Sequence, residues 1–422
     1  MSRSKPRVLY IVYWGAAEPL GQSLVLPAVK RLAAMGADLT LVTFDKPTDL
    51  VRSEELSRIR ESLSESGVRW IPLRYHKSPK VPATAFDIAQ GCARAIAARV
   101  RSRFDIIHAR TFIGGLMGLL LAPLLRAKLI YHNEGFYPDE QVDGGVWQAG
   151  SRPHRIAKRL EQEMYGRADG IIALSRRAKD EIERLLKVKR NQTPVIIVPS
   201  CVDLNQFRSN VTKERADDDA IRFLYIGSVG GRYILDRIGR FMKVAAQEMK
   251  RAHLRVLSQT QPETIKTILA KSGLPDTAWS LESFPHSQMP EQFAQSDAGL
   301  FFLTQGISEH GCSPTKIGEY WAMGLPVITT PNVSDTDDII RRERVGVVVN
   351  GHTDEEYARA LAELRSLLKD DQLPARCRRA AEIHYALEPA CERQISLYHS
   401  LLSPGLLCRV AEPSARAHST ER

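Results

Sequence analysis

Short apolar runs alternate with longer amphipathic segments through both halves of this 422-residue chain, and this alternation restricts the fold more than any other feature. Such runs predict buried strands, and the segments between them predict helices that connect parallel strands. In the first half, the strands are predicted over 8–13, 39–43, 68–72, 106–108, 128–132, 170–173 and 195–198, and the helices over 21–35, 51–66, 84–102, 112–125, 152–168 and 175–187. The second half repeats the pattern with strands over 223–226, 254–257, 298–302, 327–329 and 346–349.

Two domains are expected because a chain of this length exceeds what one core usually organises. We expect an N-terminal domain over 1–205, an apolar-poor linker over 206–220 and a C-terminal domain over 221–385. The segment 386–403 should form a helix that packs back on the N-terminal domain, and 404–422 should be a flexible tail. The predicted fold class is α/β, with two doubly wound Rossmann-like domains facing across a crevice. Ligands should bind at the carboxyl ends of the strands.

The composition is that of an ordinary globular protein, with 43% apolar and 26% charged residues. The six cysteines form no CxxC pair, which argues against a zinc site and indicates a reducing compartment. The apolar run at 8–13 is too short for a signal peptide, and the longest one, 112–125, is too short to span a bilayer. We therefore expect a cytoplasmic protein.

The formal charge of +10 is concentrated in part in residues 151–190, which hold twelve Lys and Arg against six Asp and Glu. Cations near an anionic membrane surface are each worth about 1 kcal/mol, so this segment suggests peripheral contact with the inner face of the membrane. A solvated helix face is the alternative. Basic and aromatic residues do not interleave as they do in nucleic-acid-binding proteins, so no nucleic-acid partner is expected.

The segment from Ser313 to Ile328 predicts a short helix followed by a buried strand. Ser313 is a natural N-cap, Pro314 suits the first helical turn, and Gly324 suits the C-terminus. Apolar residues recur at helical spacing and should be buried.

The N-terminus of this helix should attract phosphate through its free N–H groups, with Lys316 adding a positive charge. Glu319 has no evident structural duty and could accept hydrogen bonds from ribose hydroxyls. The alternative is a surface helix with a solvated Lys and Glu.

Three loops that follow predicted strands are candidate ligand contacts. The first, 14–23, contains Gly21, where the backbone can approach a ligand closely, although a tight turn explains it equally. The second, 227–233, is glycine-rich and could hold a diphosphate with help from Arg232. The third, 131–147, places His132 at a strand end, ahead of several acids, and is either a substrate wall or a solvated loop.

The sequence also contains the D-x-D spacing by which some enzymes hold a divalent ion, at Asp335 and Asp337. Acids in the first turn of a helix favour its macrodipole, and this explanation suffices. We expect no metal site, and the chain has no phosphate-binding P-loop, no zinc-binding H-E-x-x-H helix and no G-x-S-x-G elbow.

Together these segments resemble the family-4 retaining glycosyltransferases with the GT-B fold. The run from Pro314 to Ile328 is similar to their donor-binding helix and is the most specific part of the resemblance, matching a bacterial branch with an SPTKxGEY motif. Support comes from 21–23 ahead of a helix and from 134–140, 198–203 and 227–233. The resemblance covers roughly residues 7–400, with the segments in the same order.

The resemblance implies that a nucleotide-sugar donor is held mainly by the C-terminal domain, without a metal or another cofactor. Glu319 would bind the ribose, and Thr315 and Lys316 would lie near the diphosphate. His132 would contact the transferred sugar. The implied donor site also contains Gly21, Gly227, Ser228, Gly230, Gly231, Arg232, Ser313 and Pro314. The acceptor, a glycan or a lipid-linked molecule, would approach the N-terminal domain near Glu134, Asp139 and Glu140.

Three departures from the family pattern bear on activity. The first acid of its E-x7-E motif falls on Gly311, and Glu309, two residues away, is the candidate to replace it. The basic pair after the first C-domain strand is represented by Ser228 and Arg232. Glu134 stands where the related branch more often has arginine, which reverses the charge beside the diphosphate.

Three functions remain open at this point. The leading one is transfer of a sugar to a glycan or lipid-linked acceptor with retention, in the synthesis of a cell-surface polysaccharide or glycoconjugate. The second is a catalytically degenerate binding or scaffold subunit, favoured by Gly311 and Glu134. The third is epimerisation of the nucleotide-sugar itself. Spacing rules do not specify the base, the sugar, the acceptor or the linkage.

Overall fold

The computed structural model describes residues 5–100, 103–188, 192–208 and 220–403. The described residues of Met1–Pro138, Gly150–Pro199 and Leu387–Arg422 form one compact unit, and those of Asp139–Ala149 and Ser200–Ala386 form a second. Residues 139–149 thus group with the second unit, although the sequence placed them in the first domain. Most of the expected linker and all of the expected tail lie outside the described residues.

The first unit is built on a seven-stranded parallel sheet in the order β3-β2-β1-β4-β5-β6-β7. Its strands are nearly continuous apolar runs because helices cover both faces. They are β1 (Arg7–Val12), β2 (Asp38–Asp45), β3 (Arg69–Arg74), β4 (Ile106–Arg110), β5 (Lys128–His132), β6 (Gly170–Ala173) and β7 (Val195–Ile197). The order reverses between β1 and β4, and this switch point is where a doubly wound sheet offers a ligand site.

Six predicted amphipathic segments match helices between these strands to within a few residues, whereas the short helices Pro47–Leu50 and Tyr137–Asp143, the second in the predicted loop 131–147, were not predicted. A π-helical turn, Gly21–Val25, leads into the first helix. The helices are α1 (Leu26–Ala34), α2 (Pro47–Leu50), α3 (Ser53–Glu65), α4 (Lys80–Arg99), α5 (Phe112–Leu125), α6 (Tyr137–Asp143), α7 (Arg152–Arg167) and α8 (Arg176–Val188). Helix α5 lies directly on the sheet, since a Cβ at Gly118 would come within 2.8 Å of Ala109 and Leu129.

The second unit contains a six-stranded parallel sheet in the order β10-β9-β8-β11-β12-β13. The strands are β8 (Ala220–Ile226), β9 (Arg251–Leu257), β10 (Trp279–Glu282), β11 (Ala298–Leu300), β12 (Val327–Thr329) and β13 (Gly346–Val348). Strand β10 was not predicted. It lies at the sheet edge, and its residues are only half-buried, so it lacks the apolar run that marks the other strands.

Helices α9 to α16 pack around this second sheet, and α17 belongs to the first unit. Their bounds are α9 (Leu235–Glu248), α10 (Pro262–Lys271), α11 (Met289–Ala294), α12 (Ser308–Gly311), α13 (Thr315–Ala322), α14 (Thr336–Glu343), α15 (Asp354–Leu368), α16 (Leu373–His384) and α17 (Leu387–Leu402). Across the described ranges, no helix is both long enough and apolar enough to cross a membrane.

Candidate functional site

Helix α13 of the second unit carries a buried lysine that has no hydrogen-bond partner among the described residues. The Lys316 side chain is 4% exposed, and its Nζ atom is unsatisfied. Three aromatic rings surround the ammonium, with centroids at 3.8 Å for Tyr233, 5.0 Å for Tyr225 and 5.3 Å for Phe301. Ring faces attract a cation, but they do not replace its hydrogen bonds. The amino group is therefore placed to receive an acceptor from outside the chain.

Glu319 lies one turn further along α13 and is also buried. Burial raises the pKa of this carboxyl to about 7, against the attraction of Lys316, and burial lowers the pKa of Lys316 to about 7. In the part of the chain that the structure describes, the Glu319 carboxylate has neither a hydrogen bond nor an ion pair within 4.0 Å. Two buried groups of opposite charge, neither fully paired, are typical of a ligand site.

The conformation of the loop after β8, residues 227–233, shows why glycine occupies several of its positions. Gly227 has φ of 124°, and a Cβ there would lie 3.1 Å from the Lys316 amino group. Gly230 and Gly231 also have positive φ angles, 101° and 62°, which residues other than glycine rarely adopt. Ser228 is exposed, and its carbonyl accepts a hydrogen bond from the Tyr225 hydroxyl at 2.6 Å. The loop therefore brings backbone directly over the Lys316 amino group.

Arg232, at the end of this loop, is held between two carboxylates. Its guanidinium lies 2.6 Å from Glu140 and 3.5 Å from Glu309. Glu309 is fully buried, accepts a hydrogen bond from Thr304 at 3.0 Å, and has its pKa raised by burial despite the nearby arginine. Arg232 is thus committed to acids of the chain itself, which the sequence did not indicate.

Three further predicted residues lie at the start of α13. The prediction that Ser313 caps this helix is wrong, because the helix begins at Thr315 with Pro314 as its N-cap and no side chain caps it. The Ser313 hydroxyl instead accepts a hydrogen bond from the backbone N–H of Ser200 at 3.0 Å, because Ser200 lies against the loop that precedes the helix. Within the described residues no side chain caps these N–H groups; that of Ile317 donates to the Pro314 carbonyl at 3.2 Å, and those of Thr315 and Lys316 are left for a ligand.

The acidic residues predicted on the acceptor side fall into different units. Asp139 and Glu140 lie in the first turn of α6 and group with the second unit, where Glu140 binds Arg232. Gly311 ends the short helix α12, and the buried acid of that helix is Glu309. The position of Glu309 therefore fits the idea that it replaces the missing acid at 311, but its carboxylate is already paired.

In the first unit, His132 ends β5 beside Arg110, which ends the neighbouring strand β4. Arg110 Nε donates to Glu134, and its Nη1 donates to the Tyr10 hydroxyl at 3.3 Å. Arg110 and His132 are only 4% and 2% exposed. The negative charge of Glu134 is therefore balanced by a buried arginine that sequence analysis missed, although its place at a strand end was the available signal.

A second buried network holds the His132 ring. Its Nδ1 lies 2.9 Å from Nε2 of His108, whose Nδ1 lies 2.6 Å from the Tyr398 hydroxyl. Burial holds the pKa of both histidines well below the usual value, so both rings are neutral at pH 7.

The proton positions follow from donor and acceptor counting. In the described residues the Tyr398 hydroxyl has no other partner, so it donates to His108 rather than leaving a buried O–H unsatisfied. His108 then donates to His132 Nδ1, and His132 carries its proton on Nε2. In the described part of the chain that nitrogen makes no hydrogen bond, and it lies 3.4 Å from Glu134. His132 is thus a neutral donor and not a base.

Two other sequence features have structural explanations. A Cβ at Gly21 would lie 2.1 Å from the Gly15 carbonyl oxygen, so packing of the preceding loop requires this glycine without any ligand. Asp337 lies in the first turn of α14 and accepts a hydrogen bond from Arg341 at 3.2 Å. No group of three or more His, Cys, Asp or Glu side chains in the described residues is arranged to hold a metal ion.

Comparison with known protein families adds an independent result. Residues 23–206 match the model of Glycosyltransferase Family 4, and residues 220–366 match that of Glycosyl transferases group 1. The chain contains two glycosyltransferase domains. Curated relatives agree: the D-inositol 3-phosphate glycosyltransferase of Thermomonospora curvata is 22% identical over 81% of both chains. The Salinispora tropica protein of that name is 23% identical over 85% of this chain and 76% of its own.

Solved structures show that the fold is GT-B. Sucrose-phosphate synthase from Thermosynechococcus elongatus superposes with a TM-score of 0.68 at 16% identity, covering 95% of this chain and all of the other. HepE from Anabaena, solved with UDP-glucose, gives 0.64 at 12% identity over 93% and 99%. WaaG, a glycosyltransferase involved in lipopolysaccharide biosynthesis, gives 0.64 at 15% identity over the same shares.

Proposed function

We propose that the chain transfers a sugar from a nucleotide-sugar donor with retention of configuration and without a metal ion. The observation that carries this proposal is the unpartnered pair on α13, the buried Lys316 ammonium and the buried Glu319 carboxylate. A nucleotide diphosphate offers acceptors for the first and ribose hydroxyl donors for the second. HepE, which shares the fold, has been solved with UDP and with UDP-glucose.

In this proposal the Lys316 ammonium and the backbone N–H groups of Thr315 and Lys316 stabilise the diphosphate as it departs from the sugar. Preorganised donors aimed at developing negative charge are usually the largest contribution to such catalysis. Gly227 leaves room for phosphate oxygens to approach the amino group. Protonated Nε2 of His132 donates to a sugar hydroxyl and orients the ring. Arg232 joins the diphosphate only after it has exchanged Glu140 for phosphate.

The acceptor we propose is a glycan or lipid-linked molecule in the synthesis of a cell-surface polysaccharide or glycoconjugate, made in the cytoplasm. WaaG supports this as a protein of the same fold with a role in lipopolysaccharide synthesis. The curated relatives are named for a phosphorylated cyclitol, so a phosphorylated polyol is a second acceptor class to test. Peripheral contact of residues 151–190 with anionic lipid stays part of the proposal.

A catalytically degenerate binding subunit is the second candidate, because Arg232 forms an ion pair with Glu309, the acid nearest to position 311. Nucleotide-sugar epimerisation is the third. A structure described as a putative UDP-N-acetylglucosamine 2-epimerase from Listeria monocytogenes shares the fold with a TM-score of 0.58 at 14% identity. The fold alone therefore does not separate transfer from epimerisation.

The test is a thermal-shift screen of UDP, GDP, ADP and their sugars, followed by calorimetric titration with the best ligand. Glu319→Ala should weaken binding by about 1.5–3 kcal/mol, as loss of a charge-assisted hydrogen bond does. Glu291→Ala, at an exposed acid of the same unit, should bind like the wild type. Equal affinity of the wild type and Glu319→Ala would refute the site.

Product analysis distinguishes the three functions. Donor-dependent release of nucleotide with a new glycosidic bond supports transfer, and an altered sugar without acceptor supports epimerisation. Nucleotide binding without turnover across glycan, lipid-linked and polyol phosphate acceptors supports the degenerate subunit.

A further inference from the structure

Helix α4 of the first unit is apolar on the face that it turns to solvent. Four of its large apolar side chains, including the C-cap residue, are exposed: Val81 by 77%, Phe86 by 55%, Ile96 by 41% and Val100 by 89%. The opposite face is buried, and the one acid of the helix, Asp87, lies there. A helix that is apolar on both faces is normally covered on both. We therefore expect a binding partner to cover the outer face of α4.

Helix α5 extends this surface. Both helices connect parallel strands, so they run in the same direction and end at the same edge of the sheet. The Arg99 guanidinium donates to the Leu124 carbonyl at 3.3 Å, which places the two C-terminal ends side by side. Leu120 and Leu124 are 58% and 57% exposed. Ile96, Val100, Leu120 and Leu124 thus form one exposed patch, called here the α4–α5 patch.

Four arginines surround the α4–α5 patch. Its arginines make no ion pair within 4.0 Å in the described parts of the chain; they are Arg94, Arg99, Arg103 and Arg126. A cleft of about 720 Å³ beside the patch is lined by both basic and leucine side chains, among them Arg103, Arg126, Lys128, Leu119 and Leu401. Its two acids, Asp105 and Asp169, are already paired with Arg7 and Lys128.

We propose that the α4–α5 patch binds the surface of an anionic lipid bilayer. The apolar side chains enter the boundary between head groups and acyl chains, and the arginines neutralise lipid phosphates. The patch lies at the amino ends of β4 and β5, whereas His132 lies at the carboxyl end of β5, so a membrane here leaves His132 uncovered.

A bilayer fits this surface better than a second copy of the chain. A two-fold contact would place the same patch against itself and bring its unpaired arginines together. A bilayer also fits this surface better than it fits residues 151–190, where several cations are already paired. Those pairs are Lys158 with Glu161, Arg167 with Glu163, Lys179 with Glu183 and Arg184 with Glu181.

The test is co-sedimentation of the full chain with phosphatidylcholine vesicles, with and without phosphatidylglycerol. The wild type should bind only the anionic vesicles. Arg94→Gln with Arg103→Gln should reduce the partition coefficient roughly 25-fold, from about 1 kcal/mol for each cation. Leu120→Ser with Leu124→Ser should reduce it on the order of 10-fold. All four side chains are exposed, so the variants should fold.

Matched controls change the same chemistry elsewhere. Lys266→Gln with Lys271→Gln removes two exposed charges from α10, and Val51→Ser with Ile383→Ser removes two exposed apolar side chains, from the end of α2 and from α16. Both should bind vesicles like the wild type. Equal losses in the controls, or binding unaffected by the patch variants, would overturn the proposal.

The proposal would also be overturned if the wild type did not bind vesicles but formed a dimer that Leu120→Ser with Leu124→Ser dissociates. That result would identify a second copy of the chain as the partner. The experiment uses no sugar donor, so its failure leaves the proposed sugar transfer untouched.

Discussion

The buried carboxyl of Glu319 should make the stability of the second unit depend on pH. Its pKa is raised from 4.5 to about 7, so the folded state holds a proton that the unfolded state has released between these values. This favourable contribution is present below pH 4.5 and is lost as the pH rises to 7. Above pH 7 the ligand-free protein carries the full penalty, which is at most about 3 kcal/mol for a shift of this size.

Glu319→Gln removes the titration and keeps the shape. Relative to the wild type, its unfolding free energy should therefore rise by about 2 kcal/mol between pH 5 and pH 8. The same substitution should weaken nucleotide binding, because a neutral amide accepts hydrogen bonds from ribose less strongly than a carboxylate does. Stability and ligand affinity should thus move in opposite directions.

The assay is urea unfolding of both proteins from pH 5 to pH 8, followed in the transition that nucleotide shifts to higher urea. Ligand linkage assigns this transition to the unit that binds the nucleotide. Glu291→Gln, an exposed exchange in the same unit, should show no such trend. A constant difference between Glu319→Gln and the wild type across this range would show that Glu319 does not titrate there.

Three other substitutions test the remaining buried groups. Lys316→Met should raise the unfolding free energy by about 2–4 kcal/mol below pH 7, because burial lowers the pKa of Lys316 to about 7 in the folded state. This gain should fade as the pH rises from 7 to 10.5. The same substitution should weaken UDP binding at least ~10-fold, measured by calorimetry. Arg110→Met should destabilise by about 3–5 kcal/mol in urea unfolding, since it removes the buried cation that faces the Glu134 carboxylate, and adding Glu134→Gln should recover most of the loss. Tyr398→Phe should lower stability by about 1 kcal/mol and populate the second His132 tautomer, seen in ¹⁵N NMR; unchanged ring-nitrogen shifts would contradict the proton positions inferred here.

The fold could be predicted from the sequence because it rests on local patterns. Apolar runs bounded by amphipathic segments place nearly every strand, and only β10, with half-buried residues at a sheet edge, escapes this rule. The glycine-rich turn at 227–233 was also recognisable in the sequence. In the structure, the positive φ of Gly227 and the nearby Lys316 amino group leave no room for a side chain there.

The pairing of charges at the candidate site could not be predicted. Arg232 meets an acid 77 residues away, and His108 meets a tyrosine 290 residues away, and no local pattern encodes such partners. For the same reason, the sequence alone could not show that the charge of Glu134 is balanced by Arg110, which lies on a neighbouring strand. Lys316 and Glu319 were predicted as ligand contacts, and that stays a prediction; their burial, which depends on how the whole second sheet packs, could not be predicted.

The placement of α17 has a consequence for how the chain is made. This helix contributes buried side chains to the first unit, Tyr398 among them, although the entire second sheet is synthesised before it. The first unit therefore stays without part of its core, and His108 without its hydroxyl partner, until the last residues of the helix have left the ribosome. Folding of the first unit should accordingly be completed only after the second unit has been synthesised, and truncation before Leu387 should impair the N-terminal half of the molecule rather than the half that precedes the cut.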